Sequence, residues 1–146
     1  MLKFLHLICG TTFFGIMIAA FFYISLSIKK NDRSLINYAL RTSYFGDGII
    51  FFLVVIQFIT ANKLVYAGHF TLAIPWIFIA YHAFGAVILL WLSILFIKLI
   101  SLSKIHISPI ALKIFYLLNI MLILIFIIII HDAVTQSTWF DFLIRK

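Results

Sequence analysis

Five histidines, one cysteine and four acidic residues are the side chains in this 146-residue sequence that could bind a metal, move a proton or attack a substrate. Their spacing says more than their number. His6 and Cys9 stand three apart, so on a helix they share a face, and an imidazole beside a thiolate is a ligand set suited to copper or zinc. A cysteine in apolar surroundings is also simply a small apolar side chain. Asp47, Gln57, His82 and Asn119 fall within apolar stretches, where polar groups are costly and are functional candidates by default. The acidic residues are scattered, so no carboxylate pair suggests hydrolysis. P-loop, G-x-G-x-x-G, G-x-S-x-G, H-E-x-x-H and C-x-x-C patterns are absent from the sequence.

The elements that must hold these groups follow from composition. Hydrophobic residues make up 66% of the chain and charged residues 10%, with a mean hydropathy of +1.25. Soluble domains are near half apolar and a quarter charged; so few charges cannot coat a water-facing surface. The chain reads as an integral membrane protein. A helix crosses the hydrocarbon with about 20 apolar residues, and four stretches qualify: 4–28, 44–61, 72–97 and 110–130. None alternates with the period of a barrel strand. The predicted fold is therefore an all-α bundle of four transmembrane helices, neighbours antiparallel, forming one domain over 1–146. Pro75 falls in the first turn of the third helix and Pro109 just before the fourth, where a missing N–H costs little. The first span is too long for a signal peptide and no small-x-small cleavage site follows it, so it is expected to be retained.

Charge then sets direction. In a soluble protein the net +7 would suggest nucleic acid. Here the basic residues lie between spans, where they fix topology and touch anionic headgroups, so the expected partner is the lipid bilayer and not nucleic acid. Lys29, Lys30, Arg33 and Arg41 in the first loop, with Lys98, Lys104 and Lys113 in the third, outweigh Lys63 and His69 in the second. By the positive-inside rule both termini face outward, although Arg145 and Lys146 pull the other way. The expected location is the bacterial cytoplasmic (inner) membrane. Loops of about 10 to 16 residues are too short for a folded domain, so function must lie among the helices or come from a partner.

Depth along the helices sorts the polar groups. From midpoints near Met17, Leu53, Gly85 and Asn119, at 1.5 Å per residue, His6 lies roughly 16 Å and His131 roughly 18 Å toward the outer side. Being level, the two could ligate one metal or haem iron, or both could simply be solvated among headgroups. His82 lies roughly 4 Å and Gln57 roughly 6 Å outside the midplane. They either form an interhelical hydrogen bond or mark a cofactor or quinone site, with Gly85 leaving room beside the ring. Gly10 offers similar room beside His6. Asp47, roughly 9 Å toward the cytoplasm, is expected in a first helical turn, where an acid suits the dipole, paired with Arg41 or Lys98; otherwise it accepts protons. Asn119 is expected to bond between helices. His69 and His106 fall in loops, where water solvates them.

Leu2-Lys3-Phe4-Leu5-His6, then Arg41, Asp47, Gln57 and Thr60, then Pro75-Trp76 and Trp91 follow the order L-K-x-L-H, basic residue, Asp, Q-x-x-T, P-W, Trp. In that order the chain resembles, over roughly residues 1 to 104, a family of small integral membrane proteins of unknown function numbered 2269. That family is similar to the copper-resistance D membrane domain and to the HemJ-type protoporphyrinogen oxidases. The second resemblance implies a first-helix His near K-x-x-H, matched by His6, and a Tyr-His in the third helix, matched by Tyr81-His82. It also implies a Lys early in that helix, where this chain has Trp76-Ile77 instead. The leading expectation is a membrane protein that binds a b-type haem or related redox cofactor through His6 with His82 or His131, near Gln57; as an enzyme it would be a membrane oxidoreductase. The alternatives are a non-enzymatic accessory subunit of a larger membrane complex, or a homo-oligomer of that kind, and copper handling at the outer face through His6, Cys9 and His131.

Overall fold

The computed structural model describes residues 1–71, 73–103 and 109–136; Lys104, His106, Arg145 and Lys146 lie outside them. Four helices follow one another: α1 (Leu2–Lys29), α2 (Arg33–Ala67), α3 (Pro75–Ser103) and α4 (Pro109–Thr135). Each is long and apolar enough to cross a membrane. The fold is the predicted all-α antiparallel four-helix bundle. α1 packs along α2 and α3 along α4, while contacts of α2 with α3 and of α1 with α4 close the ring.

The helix ends differ from the apolar stretches that announce them. Helix α2 begins at Arg33, well before the expected 44, so the connection from α1 is only Lys30, Asn31 and Asp32, and a first loop of ten residues or more is not formed. Two short polar side chains make this tight turn. Asn31 takes a left-handed conformation, φ 53°, which asparagine tolerates better than most residues. Asp32 is the N-cap of α2, its carboxylate accepting from the backbone N–H of Ser34 at 2.8 Å and Leu35 at 3.3 Å. The polar first turns of α2 are then held by burial of Ala39, Leu40 and Ser43. Pro75 and Pro109 are each the first residue of a helix, where proline's fixed φ fits and its absent N–H is no loss.

Buried residues recur at helical spacing on one stripe of each helix: Phe13, Met17 and Ile24 on α1, Val87, Trp91 and Ile94 on α3, Phe115, Leu122 and Phe126 on α4. Phe126 stands edge-on to Phe13, ring centroids 5.1 Å apart, and stacks on Phe14 at 4.9 Å, joining α4 to α1. A methyl group on Gly46 would lie 3.1 Å from Ile16; the missing side chain lets α2 approach α1 closely.

Candidate functional site

Two polar clusters tie α2 to its neighbours. The first begins with Asp47, which lies deep within α2 rather than in a first turn, because that helix starts at Arg33. Its carboxylate accepts from the Lys98 ammonium, Nζ to Oδ2 at 2.8 Å and to Oδ1 at 3.1 Å, and from the Trp91 indole N–H at 3.0 Å. Lys98 is 2% exposed and Asp47 3%. Trp91 and Lys98 are seven apart, two turns of α3, so both reach one face. Of the two partners expected for Asp47, Lys98 is the one used, whereas Arg41 is exposed. Lys98 is thus a buried member of the bundle and not the loop cation counted in the sequence. An ion pair taken out of water must be closely matched to offset desolvation, and the indole N–H adds a third donor. A cavity of about 10 Å³ borders Lys98, Ser101 and Phe115, room for one water.

The second cluster joins α1 to α2. His6 Nδ1 lies 2.9 Å from Thr60 Oγ1, and Gln57 Nε2 lies 3.1 Å from His6 Nε2. The Thr60 hydroxyl has backbone acceptors in Ile56 O at 2.8 Å and Gln57 O at 3.0 Å. With its hydrogen directed there, it accepts from Nδ1–H, and the Nε2 lone pair is left to accept from the Gln57 amide. A methyl on Gly10 would come 3.1 Å from Gln57 Nε2, so the space expected to admit a flat ring holds this carboxamide.

Gln57 therefore faces His6, and the expected Gln57–His82 pair is not formed. Equal depth does not imply a common face. His82 is nine residues from Trp91, about 180° round the helix, and so lies on the exposed side of α3. Its Nδ1–H donates to Phe78 O at 2.8 Å, and its ring packs on Phe78 with centroids 4.1 Å apart. Asn119 is buried, but its Nδ2–H donates within α4, to Phe115 O at 2.8 Å, where a bond between helices was expected. His131 pairs with Asp132 at 3.0 Å, and Asp132 is 1% exposed. Cys9 is a buried free thiol. Among the described residues no three histidine, cysteine or acidic side chains gather as a metal-binding group.

This arrangement of His6 does not fit a haem: both ring nitrogens have protein partners, and the adjoining space is filled by Gln57. His82 fits a ligand better, since Phe78 O fixes its tautomer and leaves the Nε2 lone pair outward, and a methyl on Gly85 would meet nothing within 4 Å.

No match emerges when the chain is compared with known protein families, with curated proteins or with solved structures. His6 meets Gln57 and Thr60, and Asp47 meets Trp91. The role of Thr60 as acceptor and the burial of Asp132 escape sequence reasoning. The 87, 91, 94, 98 spacing on α3 was the available signal for Lys98.

Proposed function

We propose that this chain is a non-enzymatic membrane subunit, with both termini on the outer side of a bacterial cytoplasmic membrane, that works through lateral contact with a larger membrane complex. The observation that carries this reading is the Asp47–Lys98–Trp91 cluster, in which two buried charges satisfy one another across α2 and α3. Groups spent on fixing helix geometry suit a subunit whose shape is its contribution. Large apolar side chains such as Phe45, Phe52, Phe78 and Leu89 point outward, toward lipid or a neighbouring protein. Native mass spectrometry of protein extracted from its own membrane tests the reading. The chain is expected within an assembly, and a lone 16.9 kDa species in every extraction would overturn it.

A second reading is favoured by His82 and by the resemblance: a redox cofactor of the haem type held on the outer face of α3. The imidazole Nε2 of His82 would be the ligand, oriented by Phe78 O. Such a group would supply one-electron transfer. An absorption spectrum decides this, since a Soret band that survives His6→Ala and vanishes in His82→Ala is the expected signature. A wild type without any such band in native extracts sinks the second reading and leaves the first untouched.

A further inference from the structure

At the end of the bundle where α1 begins, Gln57 Oε1 is a buried acceptor without a hydrogen-bond partner among the described residues. Nothing in the packing of α1 on α2 requires that loss, because the carboxamide could be turned about its own axis at little steric expense. What holds it is the neutral ring opposite. With Nδ1–H committed to Thr60, His6 Nε2 offers only a lone pair, and the amide must present N–H to it. We propose that the His6–Gln57–Thr60 cluster is a proton-binding site, in which His6 takes a proton on Nε2 while the Gln57 carboxamide turns to present Oε1 to the new N–H.

The balance is simple. A hydronium from the aqueous phase gives its proton to Nε2, no covalent bond within the protein breaks, and the imidazolium then donates on both sides, to Thr60 Oγ1 and to Gln57 Oε1. The turn exchanges an unpartnered buried acceptor for a buried NH2 group. It is therefore driven by the new bond itself, which is charge-assisted and about twice as strong as the neutral one. His6 is only four residues from the start of α1 at Leu2, close to water.

Of the other titratable groups at this end, Cys9 on α1 is a buried thiol, and the amino terminus at Met1, Tyr66 on α2 and His69 beyond it are exposed. Lys3 on α1 and Lys63 on α2, three residues beyond Thr60, are exposed. Tyr81 on α3 donates its hydroxyl to Asn62, and Asp132 on α4 pairs with His131 through Oδ1, its Oδ2 being buried without a partner among the described residues. His82 lies on the outer face of α3. Both partners that the structure gives to the His6 ring, the Thr60 hydroxyl and the Gln57 amide N–H, are on α2.

Nitrogen-15 NMR of the His6 ring, in the full chain in lipid bilayers, reads the site directly and does not depend on any subunit role. At high pH the ring is expected as the Nδ1–H tautomer, becoming doubly protonated as pH falls. Gln57→Met keeps the size of the side chain but offers no amide, and is expected to weaken proton binding about tenfold, the loss of one bond to a charged group. Gln57→Glu is expected to strengthen it. An Nε2–H tautomer in the wild type at high pH overturns the proposal, whether or not the variants fold. So does a Gln57→Met titration that coincides with the wild type, or a ring that takes no proton between about pH 4 and 9.

Discussion

At the scale of single residues, the chain shows how a polar group inside a membrane protein is read correctly as exceptional and yet assigned the wrong surroundings. Asp47 is conspicuous in the sequence because it interrupts an apolar run, and Lys98 is one of two partners that its position suggests. Charge counting treats every lysine that flanks a span alike and so places Lys98 among the loop cations. Only the stripe shared with Trp91 distinguishes it. The energetic consequence is testable. Lys98→Met leaves the Asp47 carboxylate buried with the indole as its one remaining side-chain donor, at a cost of about 3–5 kcal/mol. Combining it with Asp47→Leu removes both charges and is expected to recover most of that loss. Reversible unfolding in mixed detergent micelles measures both. A single variant as stable as wild type would mean that the pair does not hold α2 to α3.

At the scale of elements, the existence of four helices was legible because about 20 apolar residues in succession have few other solutions in a bilayer. Prolines marked two starts for a stereochemical reason, and Pro75 and Pro109 open their helices as that reason requires. The polar first turns of α2 were illegible to a hydropathy criterion, which registers only the part of a helix that meets hydrocarbon. The Asn31-Asp32 pair, a left-handed residue followed by an N-cap, carried the missing boundary. Helix facing was the harder matter. Depth along an axis is given by residue counting, but rotation about it must be taken from the buried stripe, and for α3 that stripe turns His82 outward. A crosslinking experiment separates the two arrangements. With Cys9→Ser as background, the pair His6→Cys and Gln57→Cys is expected to form a disulfide under mild oxidation, while Gln57→Cys with His82→Cys is not. Efficient crosslinking of the second pair would reverse the assigned facing of α3.

For the whole molecule, composition sufficed for the class because no soluble surface can be built from so few charges, whereas function depends on which helix faces meet and what lies outside them. The candidate site was partly legible: His6, Asp47 and Gln57 are members of the two interhelical clusters and Lys98 is one of the two partners expected for Asp47, but Thr60 and Trp91 complete the clusters only in three dimensions. Orientation also changes in its physical basis. Lys98 is neutralised inside the bundle by Asp47, so it offers no free charge to the side that the proposed orientation makes cytoplasmic. The proposed orientation then rests chiefly on Lys29, Lys30, Arg33 and Arg41, which cluster about a tight hairpin and the first turns of α2. A compact group close to a membrane boundary is the kind that governs insertion, with Lys113 acting in the same sense near the start of α4. A reporter active only outside is therefore expected to be active when fused after Lys146, and silent when inserted at Asn31. Replacing Lys29, Lys30 and Arg33 together by serine should yield a mixed population, with reporter activity appearing at the hairpin. Replacing Lys98 should leave the orientation intact even though it weakens the fold. If instead Lys98→Met inverts the chain while the triple variant does not, the buried lysine is sensed before its ion pair forms, and the bundle must close after its topology is set.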